Sequence, residues 1–326
     1  MDIELVTILK GKKLHSWEQL LRKTGLAPEE QPEQTVLLWD GESLAATGSR
    51  QGNLLKYLAI DPVYQGEGLL STLLTTLRQQ AFSQGHSHLF LYTKPENEQL
   101  FLPLFFYPVV CTEQVLLMED RKDGIHTFLD TLPADNTVGT VGAAVMNCDP
   151  FTLGHRYLIE TAAAECDRLY VFVLSEDKSR FSAADRLNMV KYGTAHLSNV
   201  TVLPTGPYLI SSATFPTYFL KDRDCAKQVH CQLDMAIFTR YYAPKFHITC
   251  RYVGTEPLSP MTEQYNRIME KTLPAHGIAL KQFSRLELNG KPISASAVRA
   301  ALDAGNLEAV RKLVPETTFD YLKTIL

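Results

Sequence analysis

Two short stretches carry residue types suited to handling phosphate. Thr152-Leu153-Gly154-His155 follows the apolar run 137–147 and precedes RYLIETAAAECD, whose apolar spacing and alanine content predict a helix. A strand that runs into a helix start leaves backbone N–H groups unpaired and aims the positive end of the helix dipole at a ligand. There Gly154 lets a phosphate approach the backbone, His155 can donate a hydrogen bond to an α-phosphate becoming pentacovalent, and Thr152 offers a hydroxyl. The second stretch, Ile293-Ser294-Ala295-Ser296-Ala297-Val298-Arg299, also opens a predicted helix. Ser294 and Ser296 can cap that helix and bond phosphate oxygens, while the planar fork of Arg299 suits the β- and γ-phosphates. The first stretch alone could occur by chance, and the second alone could be a serine N-cap with a surface arginine. Both in order within one α/β pattern point to a nucleotide.

Two further residues stand between them. Lys178 follows a predicted strand and either binds phosphate or carboxylate or is a solvated loop lysine. Glu256, at the end of another strand, either holds an adenosine, or orders the Arg299 side of the site, or does neither. His86 and His88 form an HxH that reads as two polar residues in a turn before the apolar run LFLYT. The six cysteines show no CxxC and no histidine at ligand spacing, so free thiols are expected and a zinc site is not. No Ser-His-Asp set suggests a nucleophilic hydroxyl.

The elements that must position these residues follow from the pattern. Runs 137–147, 168–175 and NVTVLPTG are predicted strands alternating with helices. That succession is a parallel sheet wound by right-handed crossovers, which binds ligands at the carboxyl ends of its strands. Earlier in the chain, a helix is predicted from a Ser16 cap, and 35–40 and 43–49 pair across Asp40-Gly41-Glu42. The strand LLKYLAI then meets LLSTLLTTLRQQAFSQG through a turn that includes Gln65-Gly66-Glu67-Gly68. Such a turn either cradles the pyrophosphate of a nucleotide or of coenzyme A, or is a bare strand-to-helix turn.

At 326 residues the chain is long enough for two domains with proper cores, here expected as 1–125 and 126–326. The net charge is −4, which disfavours binding nucleic acid over a broad surface. The first 125 residues carry 11 basic and 16 acidic side chains, the rest 21 and 20, so an anionic substrate meets less repulsion in the second part. The apolar share of 45% excludes a disordered chain. With no long apolar run and no signal-like start, a soluble, cytoplasmic protein is expected.

Resemblance sharpens both parts. IDPVYQGEGLLSTLL is similar to the acyl-CoA-binding turn of the GCN5-related acetyltransferase fold, with Gln65 and Gly68 on the pattern and Leu70 off it. HLFLYTKPENEQLFLPLFFYPV resembles the strand–helix–strand that closes that fold, with Phe105 where the family has glycine. The two phosphate stretches resemble the signatures of the nucleotidyltransferase superfamily, in a Rossmann-like α/β domain with a parallel sheet. The order MNCDPFTLGHRYLIE, TFPTYFLK, EPLSPMTEQYN, KPISASAVR behind an acetyltransferase-like domain is similar to the citrate lyase ligase family.

That resemblance implies an enzyme joining ATP, acetate and a carrier thiol to give AMP, diphosphate and the acetyl thioester, through acetyl-adenylate. The thiol belongs to the dephospho-CoA-derived prosthetic group on the acyl carrier subunit of citrate lyase. It also implies catalytic roles for His155, Thr152, Lys178 and Arg299, and ATP contacts from Asn147, Pro150, Phe151, Gly154, Glu256, Ser294 and Ser296. Mg²⁺ is expected on the ATP phosphates, without protein ligands of its own, and the carrier's arm at Gln65, Gly66 and Gly68. Two other readings stay open: an adenylyltransferase of the pantetheine-phosphate or nicotinamide-mononucleotide type with an appended domain, or a non-catalytic nucleotide-binding protein.

Overall fold

Leucine-rich and β-branched runs in the first part pair into a seven-stranded sheet. Its strands are β1 (Asp2–Val6), β2 (Gln34–Asp40), β3 (Ser43–Gln51), β4 (Leu54–Ile60), β5 (Phe90–Thr93), β6 (Tyr107–Cys111) and β7 (Leu116–Glu119), in the order β1-β2-β3-β4-β5-β7-β6. Neighbours are antiparallel except β4 and β5, which run parallel and pair only at Leu54↔Phe90 and Leu55↔Leu91. Helix α1 (Gly11–Lys23) starts with Lys10 at its N-cap and no side-chain cap. Ser16 therefore sits inside α1 rather than capping it; the buried Trp17, Leu20 and Leu21 hold the helix down. Helix α2 (Leu69–Ser83) lays Leu69, Leu73, Leu74, Leu77 and Ala81 into the core, and the short α3 (Glu98–Phe101) follows β5.

The second part begins with α4 (Gly124–Asp130) and then alternates as its apolar runs predict. It continues through β8 (Val141–Met146), α5 (Leu153–Ala164), β9 (Arg168–Val173), α6 (Ala183–Thr194), β10 (Val200–Pro204), α7 (Ala226–Ile237) and α8 (Ala243–Lys245). After these come β11 (Cys250–Gly254), α9 (Pro260–Ala275), β12 (Ala279–Phe283), the hairpin β13 (Glu287–Leu288) and β14 (Lys291–Pro292), then α10 (Ala295–Asp303), α11 (Leu307–Arg311) and α12 (Glu316–Ile325). The five-stranded sheet has the order β10-β9-β8-β11-β12, and every pair is parallel. Strand order reverses between β8 and β11, the switch point at which open parallel sheets bind ligands.

This computed structural model describes residues 1–176, 179–211, 214–220, 225–255 and 260–326. The chain divides into two compact units, Met1–Gly124 with Pro216–Val229, and Ile125–Phe215 with His230–Leu326. Residues 216–229 thus group with the first unit although they follow β10 in sequence. Among the described residues no helix is long and apolar enough to cross a membrane.

Candidate nucleotide site

Strand β8 ends at Met146, and six residues later Thr152 caps α5. The Thr152 hydroxyl oxygen accepts from the backbone N–H of His155 (3.3 Å), and His155 Nδ1 accepts from the backbone N–H of Thr152 (3.1 Å). A backbone N–H can only donate, so Nδ1 is the unprotonated nitrogen and the ring proton sits on Nε2. Burial, followed by the nearby charge of Arg285, lowers the His155 pKa to about 4. His155 is therefore a neutral donor at pH 7, stacked on Phe151 with ring centroids 6.0 Å apart.

Helix α10 begins beside it. Ser294 caps the helix by accepting from the Ala297 N–H (3.2 Å), which leaves its hydroxyl proton available to a ligand. Arg299 is held rather than extended: Nη1 donates to the Asp149 carbonyl oxygen and lies 3.4 Å from Asp149 Oδ2, and Nη2 donates to Ser296 Oγ at 3.1 Å. The buried Asp149 carboxylate also accepts from the backbone N–H groups of Phe181 (3.0 Å) and Arg180 (3.3 Å). One aspartate thus ties together the loop after β8, the start of α6 and the α10 motif. Gly154 completes the junction, because a Cβ there would meet the Ile293 carbonyl oxygen at 2.9 Å.

These residues border a cavity of about 620 Å³ at the carboxyl ends of β8, β11 and β12. Thr152, Gly154, His155, Ser294 and Ser296 line it, together with Arg285. Asn147, Pro150, Phe151 and Arg299 are not among the residues that line it. The Asn147 carbonyl oxygen accepts from the fully buried Arg186 at 3.0 Å, and its side-chain amide donates to Ser179 Oγ at 3.2 Å. Lys178 and Glu256 lie outside the described residues. Asp149 and Arg285 went unnoticed in the sequence. Asp149 shows its role only through a partner 150 positions away, and Arg285 follows β12, a strand the apolar pattern does not reveal.

The thiols of the second unit offer no nucleophile. Burial pushes Cys148, Cys231 and Cys250 up and Cys166 to about 11, so all four are protonated at pH 7. Among the described residues no cysteine forms a disulfide, and no group of three or more His, Cys, Asp or Glu could hold a metal ion.

A second cavity, of about 670 Å³, belongs to the first unit. Gln65, Gly66 and Gly68 line one side, Tyr92, Tyr218 and Phe219 another. Gly66 and Gly68 have φ of +89° and +73°, a conformation that side chains with a Cβ rarely adopt, and open space surrounds both. The Tyr218 carbonyl oxygen accepts from the Ala27 N–H at 2.9 Å, and its hydroxyl donates to the Tyr92 carbonyl oxygen at 3.4 Å. Nearby, Phe105 adopts φ +59° where the resembled fold carries glycine.

Residues 141–322 match the profile described as the citrate lyase ligase C-terminal domain, and residues 5–101 that of the acetyltransferase (GNAT) family. The [citrate [pro-3S]-lyase] ligase of Klebsiella pneumoniae is 41% identical over 98% of this chain and 96% of its own length. The chain belongs to the citrate lyase ligase family. The Escherichia coli K12 protein of the same name is 39% identical, over 97% of this chain and 92% of its own. As a member of the citrate lyase ligase family the chain is an enzyme, a ligase with an acetyltransferase-type and a nucleotidyltransferase-type domain. A phosphopantetheine adenylyltransferase of Symbiobacterium thermophilum is 37% identical over only 20% of this chain. That match spans 41% of the relative's own length.

Proposed function

We propose that this member of the family acetylates the thiol prosthetic group on the acyl carrier subunit of citrate lyase in the cytoplasm, consuming ATP and acetate. Acetate is a poor acyl donor, so its carboxylate oxygen first attacks the α-phosphorus of ATP, expelling diphosphate and leaving acetyl-adenylate. ATP would enter with Mg²⁺, which would offset part of the phosphate charge. His155 donates from Nε2 to the α-phosphate, the Ser294 hydroxyl and the backbone at Gly154 receive neighbouring oxygens, and Arg299 reaches the β/γ end when it leaves Asp149. The carrier thiol then attacks the acetyl carbonyl, AMP departs with the bonding pair, and the thiol proton is lost to solvent. No enzyme nucleophile is needed, in keeping with the protonated buried thiols.

The observation that carries this reading is the meeting of the two phosphate motifs at one cavity on the switch point, in a chain whose relatives share nearly its full length. In the first unit, Gly66 and Gly68 would receive the pyrophosphate of the carrier's dephospho-CoA-derived arm, and Tyr92, Tyr218 and Phe219 would flank its pantetheine portion. Acetate-dependent exchange of labelled diphosphate into ATP tests the first half-reaction. An enzyme that instead transferred AMP to a phosphate acceptor without acetate would contradict it.

A further inference from the structure

Strands β4 and β5 are parallel neighbours that pair only at their first two residues, Leu54↔Phe90 and Leu55↔Leu91. Past that point the first unit's cavity of about 670 Å³ lies between them, lined by Leu58, Ala59 and Ile60 of one and Leu91, Tyr92 and Thr93 of the other. Because the two strands run the same way, their carboxyl ends reach one edge of the sheet. The turn Gln65-Gly66-Glu67-Gly68 follows β4 at that edge, and Lys94 follows β5. Both loops border the cavity.

The backbone of Lys94 is held in place. Pro95 follows it and favours the extended conformation it adopts, φ −79° and ψ 149°. Its carbonyl oxygen accepts from the Asn97 N–H at 3.0 Å, and the Asn97 side-chain amide donates to Thr93 Oγ1 at 2.8 Å. The side chain is only partly exposed, yet among the described residues no hydrogen bond or ion pair occupies its ammonium. Lys94 is the one basic residue among the described residues lining the cavity. Glu96, the one acid there, is exposed and makes no ion pair with it. Lys23, which adjoins the lining residue Thr24, is already committed to Asp61 at 2.7 and 2.9 Å.

We propose that Lys94 binds the pyrophosphate of a coenzyme-A-type arm, as the cation of the first unit's cavity. This rests on the reading of that cavity as the site of the carrier's arm. A pyrophosphate diester brings two negative charges, while the glycine turn and the start of α2, which has no side-chain cap, offer only neutral N–H groups. A partly buried ammonium without a counter-ion has lost some hydration, and a ligand anion offsets that cost. Its three donors turn freely on a four-carbon stem, so they can follow oxygens of either phosphate.

Lys94→Met removes the charge and keeps a stem of similar length. With no ion pair to lose, the variant should hold the wild-type thermal midpoint. The full-length enzyme is titrated calorimetrically with dephospho-CoA while a non-hydrolysable ATP analogue fills the nucleotide cavity. The Met variant should bind about tenfold more weakly, and Lys94→Arg close to wild type. Added salt should weaken the wild type more than the Met variant. Pantetheine, which lacks the pyrophosphate, should bind all three alike. Equal dephospho-CoA affinity in Lys94→Met and wild type would overturn the proposal, and the cavity reading would survive if Ser71→Trp still blocked the ligand. An equal loss for pantetheine would also overturn it, since the lysine would then pack and not pair. Weakened dephospho-CoA binding by Lys94→Met, in an enzyme that acetylates no carrier thiol, would uphold the proposal and sink the functional reading.

Discussion

Gly154 packs directly against Ile293: a Cβ at position 154 would lie 2.9 Å from the Ile293 carbonyl oxygen. The first phosphate motif thus touches the residue that opens the second, and glycine is what lets the two loops meet. Gly154→Ala must push them apart, because the obstacle is backbone and cannot swing aside. The expected cost is about 1–3 kcal/mol of stability together with at least a tenfold loss of exchange activity. Chemical denaturation and exchange assays on the same preparation check both; an unchanged exchange rate would mean that the junction does not shape the site.

His155 yields a prediction with a definite sign. Its folded pKa is lowered from 6.5 to about 4, so between those values the unfolded chain binds more protons than the folded one. The stability it contributes is full above pH 6.5 and is lost as pH falls toward 4. The stability difference between wild type and His155→Gln should therefore shrink as pH drops from 7 to 5. His155→Ala should slow exchange by about 10²–10³. The wild-type rate should show no titration near pH 6.5 traceable to this ring, and a His155-dependent break there would refute the neutral-donor role.

Arg299 bonds to the Asp149 carbonyl and to Ser296 through separate nitrogens of its fork. Lysine cannot reproduce that geometry, so Arg299→Lys should raise the KM for ATP severalfold despite its preserved charge. ATP titrations that overlay with wild type would reduce the second motif to a helix cap.

How far the sequence reached depends on how local each signal is. The helix start at Thr152–His155, the Ser294 cap and strands β8, β9 and β10 each announce themselves within a few residues. Strand β12 does not, because ALKQF is mostly solvent-facing and lacks the unbroken apolar run of a central strand. Arg285 was hidden with it. Asp149 was hidden for a different reason, its partner Arg299 being remote in sequence. Nothing local in residues 216–229 signals that they group with the first unit. Ser16 misled because a serine ahead of apolar residues is a good cap in general, yet α1 already runs from Gly11.

Phe105 gives a test of the first unit's backbone. It holds φ +59° and is 66% exposed as a residue, so the left-handed cost of about 1–2 kcal/mol is met without much burial in return. Phe105→Gly relieves it, against about 0.4–1 kcal/mol of added unfolded-state freedom. The denaturation midpoint should stay level or rise. A clear fall would show that the exposed ring contributes packing.

The two half-reactions should separate at the first unit's cavity. Ser71, on the first turn of α2, lines that cavity without the strained φ of Gly68. Ser71→Trp should leave acetate-dependent exchange intact while slowing carrier acetylation at least tenfold, through lost positioning of the arm. Equal carrier acetylation in the variant and wild type would remove the arm from this cavity.

The most direct test is the mass of the carrier subunit after incubation with the full-length enzyme, ATP, magnesium and acetate. The proposed reaction adds one acetyl group to the prosthetic thiol, with AMP formed in equal amount and no gain when acetate or ATP is left out. A carrier that stays unmodified, or gains an adenylyl group in place of acetyl, would contradict it.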